Sequence, residues 1–169
     1  MRPPAVALRA EQAQTRPKRA AAGQPNGKRS CSMLRVKDIM TKKVYTVEFD
    51  ASAEEAAWGL TRRQIGAAPV KNRAGELVGI LTKGDIVDPE PHQWIKKEAT
   101  VGDLMDPEVV AVYEDDAALA AVHELASKNQ HRLVVLNTEN KLVGIVSTMD
   151  VVRALDKGLS FAVGDSAEE

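Results

Sequence analysis

The sequence predicts an α/β (α+β) fold of two tandem β-α-β-β-α repeats packed as one pseudo-symmetric unit, and three observations carry that prediction. Short β-branched runs alternate with runs of helical periodicity along most of the chain. The composition is 44% apolar with only 4% aromatic residues, so the core must be Val, Leu, Ile and Ala. Finally, one stretch occurs twice at a constant offset, Val36 falling on Val101, with no gap to the end of both copies.

The register tests itself along its length. Asp38-Ile39-Met40 falls on Asp103-Leu104-Met105, Val44 on Val109, Val47 on Val112, Asp50 on Asp115, Leu60 on Leu125 and Val70 on Val135. Leu77-Val78-Gly79-Ile80 is repeated without change as Leu142-Val143-Gly144-Ile145, with Thr82 and Asp85 answered by Ser147 and Asp150. The predicted organisation is a basic disordered tail at 1–32, a first repeat at 33–88, a connector at 89–100, a second repeat at 101–156 and an acidic tail at 157–169.

Within each repeat the elements follow in order. Val44 to Phe49 and Val109 to Tyr113 have the β-branched clustering of short strands. Ser52 followed by Glu55 has capping-box spacing, and Ala53, Ala56, Ala57 and Leu60 continue at helical spacing; in the second copy Asp115 or Asp116 is the expected N-cap, before Leu119, Val122 and Leu125. Ala67 to Lys71 and Leu77 to Leu81 are two strands joined by Asn72-Arg73-Ala74-Gly75-Glu76, whose Asn and Gly suit a turn. Arg132 to Leu136 and Leu142 to Val146 repeat the pair, and a last helix closes each unit. One such unit buries too little surface to be stable alone, so the two are expected to pack sheet against sheet around one shared core.

Charge and cysteine usage narrow the function classes. Seven of the 23 Lys and Arg lie in residues 1–32 beside a single acid, Glu11, which leaves an acidic body; nucleic acid is therefore an expected partner only through the tail. The tail itself is open to three readings: a transit peptide, a nucleic-acid or membrane arm around Arg16-Pro17-Lys18-Arg19, or an upstream extension before Met33. Charged or Gly residues interrupt every apolar cluster before the roughly 18–20 residues that span a bilayer, and the single Cys31 has no internal partner, so a cytoplasmic protein is expected. His92, His123 and His131 lack metal-ligand spacing, and no nucleophile with an orienting base, nor a phosphate loop, is visible: Lys83-Gly84 stands in the wrong order. No catalytic residue, catalytic cofactor or metal site is expected, and paired acids such as Glu54-Glu55 suit solvated helix starts.

The duplicated openings Asp38-Ile39-Met40-Thr41 and Asp103-Leu104-Met105, with the runs Gly79 to Asp85 and Gly144 to Asp150 of the form Gly-x-x-[Thr/Ser]-x-x-Asp, resemble a tandem pair of cystathionine β-synthase (CBS) domains, a Bateman module. The resemblance covers Val36 to Ala154. It implies binding of AMP, ADP, ATP or S-adenosylmethionine in clefts between the repeats, regulation of an effector protein, and homodimers formed through helices. It also implies first-strand contacts at Thr46-Val47 and Ala111-Val112.

Elementary chemistry gives the motif residues possible jobs. Gly79 and Gly144 would let backbone approach a ligand, Thr82 and Ser147 with free N–H groups of the next helix would hold phosphate, and Asp85 and Asp150 would accept both ribose hydroxyl protons. The same Ser/Thr-x-x-Asp spacing is that of a helix cap, and duplication does not separate the two readings. Where the third element begins, Gly66-Ala67-Ala68-Pro69 stands opposite His131-Arg132-Leu133-Val134. Arg132 offers a planar donor fork suited to phosphate or, equally, an idle surface charge, while Ala67 and Ala68 either leave room for a purine or pack in the core.

Overall fold

The computed structural model describes residues 33–87 and 98–161. The tail 1–32, the connector residues 88–97 with His92 and Trp94, and the end 162–169 lie outside the described residues.

The elements are α1 (Val36–Ile39), β1 (Val47–Glu48), α2 (Ala53–Arg62), β2 (Ala67–Lys71), β3 (Leu77–Thr82) and α3 (Lys83–Ile86), then α4 (Val101–Leu104), β4 (Ala111–Tyr113), α5 (Ala118–Ser127), β5 (Arg132–Leu136), β6 (Leu142–Ser147) and α6 (Thr148–Asp156). The β-α-β-β-α unit is thus present twice, each time preceded by one helical turn that the sequence pattern did not announce. Two three-stranded sheets run β1-β2-β3 and β4-β5-β6. In each the first pair is parallel and the second antiparallel, with matching bulges after Val70 and Val135.

The hairpins form as their turn residues dictate. Asn72 Oδ1 accepts the N–H groups of Ala74 and Glu76, both at 3.0 Å, and Gly75 takes the left-handed conformation with φ 79°. Asn137 does the same for Glu139 and Lys141 at 2.9 Å, and Asn140, at φ 58°, stands where the first copy has Gly75. The first strands are shorter than expected. In the second repeat Val134 N–H donates to Val110 O at 3.1 Å, but its counterpart Pro69 has no N–H, and β1 starts only at Val47.

Helix α2 starts as predicted, with Ser52 Oγ accepting Glu55 N–H at 3.1 Å. Helix α5 does not: its N-cap is Ala117, which offers no side-chain acceptor. The two expected caps lie just upstream in the turn, where Asp116 Oδ2 accepts Tyr113 N–H at 2.8 Å and Asp115 Oδ1 meets Lys37 Nζ at 2.8 Å.

The opening turns cross over. Val36 N–H donates to Asp116 O, Lys37 N–H to Glu114 O, and Ala118 N–H to Leu34 O, so α1 is stitched to the second repeat. Reciprocally, Val101 N–H donates to Ala51 O, Gly102 N–H to Phe49 O and Ala53 N–H to Ala99 O, stitching α4 to the first. Thr41 and Ile145 exchange backbone bonds, as do Asp106 and Ile80, so each opening segment also lines the free edge of β6 or β3.

The core is accordingly not the single shared one expected. Val101 and Met105 complete a cluster with Val47, Ala56, Leu60, Ala68, Val70 and Leu81, and Val36 and Ile39 complete another with Val112, Ala121, Leu125, Leu133, Val135 and Val146. A smaller cluster, Val109, Val134 and Leu136 with Leu77, Ile80 and Leu142 against it, joins the two sheets. Helices cover one face of each sheet, which places most apolar burial on that side and leaves the sheet-to-sheet seam thin.

Candidate functional site

Because β1 and β2 run parallel and β3 antiparallel, the starts of the first two and the end of the third lie at one edge of the sheet. Ala67 stands opposite Thr82 there, and Lys83 N–H donates to Gly66 O at 3.0 Å. The second repeat builds the same edge, with Arg132 opposite Ser147 and Thr148 N–H donating to His131 O at 3.1 Å. Thus Gly66, Ala67, Thr82 and Asp85 are brought together at one edge, and His131, Arg132, Ser147 and Asp150 at the other.

The acids are caps. Thr82 N–H and Oγ1–H both donate to Asp85 Oδ2, at 2.7 and 2.8 Å, and Ser147 N–H and Oγ–H to Asp150 Oδ2, at 2.8 and 2.6 Å. Asp103 caps α4 in the same way, while at α1 Asp38 Oδ2 accepts only the Arg35 backbone N–H, at 2.8 Å; the two bonds from Thr100 hold the Asp103 carboxyl below its usual pKa. Capping therefore accounts for the spacing. It also fixes Asp85 and Asp150 at the sheet edges instead of in bulk water: the Asp150 side chain is only 10% exposed, with Oδ1 3.3 Å from Arg153 Nη1.

Several predicted contacts take a different form. The Lys83 and Thr148 N–H groups, expected to be free for phosphate, already donate to Gly66 O and His131 O. Gly79 and Gly144 face methionines instead of an open cleft. A Cβ on Gly79 would stand 2.5 Å from Met105 Sδ and 2.8 Å from Asp106 O, and one on Gly144 would strike Met40 and come within 3.2 Å of Thr41 O. The duplicated Met and the duplicated Gly are one device, each opening Met seated in the glycine notch of the other repeat. Ala68, Val47, Val112 and Leu133 are buried in the cores, and Pro69 is fully buried, so at these positions only backbone can meet a ligand. Thr46 and Ala111 are half-buried.

Arg132 is the distinctive charge. Its backbone belongs to the second edge, yet its guanidinium lies across the pseudo-twofold against Gly66, where a Cβ would be 3.0 Å from Nη2. It is half-buried, and burial pulls its pKa down from the ordinary value. Among the described residues no carboxylate pairs with it. Sequence reasoning missed Gly66 as the slot for this side chain; the only signal was that Gly66 and His131 fail to match in an otherwise matching register. Also unforeseen is a difference at the first strands: Val110 O accepts Val134 N–H, whereas its counterpart Tyr45 O faces Pro69, which has no N–H to give.

The CBS domain family model matches residues 36–89 and 101–157. A 17.7 kDa protein of Acidianus ambivalens is 31% identical over 135 residues, covering 80% of this chain and 81% of its own. The chain belongs to the CBS domain family. The CBS domain pair of protein MJ0100, solved with 5′-methylthioadenosine and S-adenosyl-L-methionine, superposes with a TM-score of 0.66 at 28% identity, covering 75% of this chain and 98% of that one. The protein CBSX2, solved with AMP, gives 0.62 at 25% identity, covering 73% and 97%. This CBS pair spans only 16–24% of several longer relatives. No helix among its described residues is long and apolar enough to cross a membrane.

Proposed function

We propose that this CBS pair is a non-catalytic regulatory module that takes adenosine-containing ligands, AMP, ADP, ATP or S-adenosylmethionine, at the two sheet edges and passes their presence to an effector protein. The observation that carries the reading is the pair of shielded aspartates, Asp85 and Asp150, each fixed by its own cap at an edge shared by the starts of two strands. A carboxylate so fixed is suited to the two hydroxyls of a ribose. That MJ0100 was solved with adenosyl compounds and CBSX2 with AMP supports the same ligand class here. A coupling of about 1–3 kcal/mol between ligand and packing state suffices for regulation, and the thin seam between the sheets is where such a shift would act. A homodimer is part of the proposal, supported by the exposed row Met149, Val152 and Leu155 on α6.

Thermal melting tests it. AMP or S-adenosylmethionine at about a hundred times its Kd is expected to raise Tm by roughly 5–10 °C. The combined variant Asp85→Asn, Asp150→Asn keeps a capping oxygen at both helices and is expected to lose the ligand-induced rise. A wild-type melt indifferent to every adenosyl compound would leave an interaction scaffold as the function.

A further inference from the structure

We propose that the two edges divide the ligand classes: the first, with Gly66, Thr82 and Asp85 and closed from across by Arg132, takes 5′-phosphorylated adenosine, while the second, with His131, Ser147 and Asp150, takes adenosyl compounds that carry no phosphate. The inference rests on the adenosyl-binding reading above.

Its basis is a break in the pseudo-symmetry. Applying the repeat offset, Arg132 corresponds to Ala67 and Gly66 to His131, so both the fork and the slot that receives it occur once. Arg132 leaves its own edge to lie against Gly66, which itself accepts the bond from Lys83 N–H beside Thr82. A half-buried guanidinium without a carboxylate partner among the described residues has lost water and gained no counter-charge; a phosphate bound bidentately supplies both. The second edge has nothing equivalent. Ala67 is buried and apolar, His131 is an exposed imidazole, and Arg153, which meets Asp150 Oδ1, is 63% exposed. Phosphate there would face Asp150 without a fixed cation.

Calorimetry on the full chain, with AMP, adenosine and 5′-methylthioadenosine as probes, tests the division. AMP is expected to bind at one site per chain, at least about tenfold tighter than adenosine, the gain typical of hydrogen bonds to a charged partner. Arg132→Ala is expected to bring AMP to the level of adenosine, with Arg132→Gln as the variant of similar length should alanine unfold the protein. Gly66→Ala, which crowds the guanidinium, is expected to act in the same direction. The ratio of AMP to methylthioadenosine affinity should fall at least tenfold in Asp85→Asn and rise in Asp150→Asn. Equal losses of AMP and adenosine on changing Arg132, or a ratio that falls in Asp150→Asn instead, would overturn the division while adenosyl binding stands. A wild type that binds none of the three overturns both readings at once.

Discussion

A residue in a motif associated with ligands can serve packing instead, and glycine shows it here. Gly79 and Gly144 sit in a run associated with ligand approach, yet each is needed because another repeat's methionine fills the space where a side chain would be. Overpacking a close contact of this kind costs about 1–3 kcal/mol. At Gly79 the upper half of that range applies, because the Asp106 carbonyl accepts Ile80 N–H while Asp106 N–H donates back to Ile80 O, and backbone so held cannot swing aside as a side chain could. Gly79→Ala is therefore expected to lower the urea midpoint without changing the slope, and adding Met105→Ala to recover part of the loss. A double-mutant cycle with no coupling energy between positions 79 and 105 would refute the seating.

At the scale of elements, what was legible is what is local. Strand pairs, the Asn-anchored turns, the Ser52 cap and the matching positions of the second copy follow from residues within a few positions of one another. The N-cap of α5 falls at Ala117, just beyond the two acids expected to cap it, because their carboxylates instead satisfy Tyr113 N–H and Lys37 Nζ, the latter a partner 78 residues from Asp115. The comparison of copies becomes a prediction. Ser52→Ala removes a real cap and is expected to cost about 1 kcal/mol, whereas Ala117→Ser supplies the missing one at the equivalent position and is expected to stabilise by about 0.5–1 kcal/mol. Chemical denaturation of the two single variants should move the midpoint in opposite directions. Site residues divide along the same line: Asp85, Asp150, Thr82 and Ser147 were visible as local motifs, but that Arg132 reaches Gly66 required two segments whose approach no periodicity encodes.

For the whole molecule, the exchange of opening turns makes the two repeats one folding unit, although the sequence reads as two consecutive ones. Val36, with no exposed surface, and Ile39, at 9%, complete the core of the second repeat, while Val101 and Met105 complete that of the first. Cutting the chain between the repeats consequently leaves each half without part of its core and without the backbone partners of its edge strand. A protein starting at Met33 keeps every one of these contacts. One starting at Thr41 loses the burial of Val36 and Ile39, each of which contributes about 1.5–3 kcal/mol, together with the bonds to Asp116 and Glu114. That loss is a large share of the 5–15 kcal/mol that holds a domain folded. The damage should also appear first in the second repeat, far along the chain from the deletion. Hydrogen exchange is the measurement that discriminates: protection should fall in β5 and β6 more than in β2 and β3 when residues 33–40 are removed. Loss confined to the first repeat would mean that each repeat folds around its own opening turn.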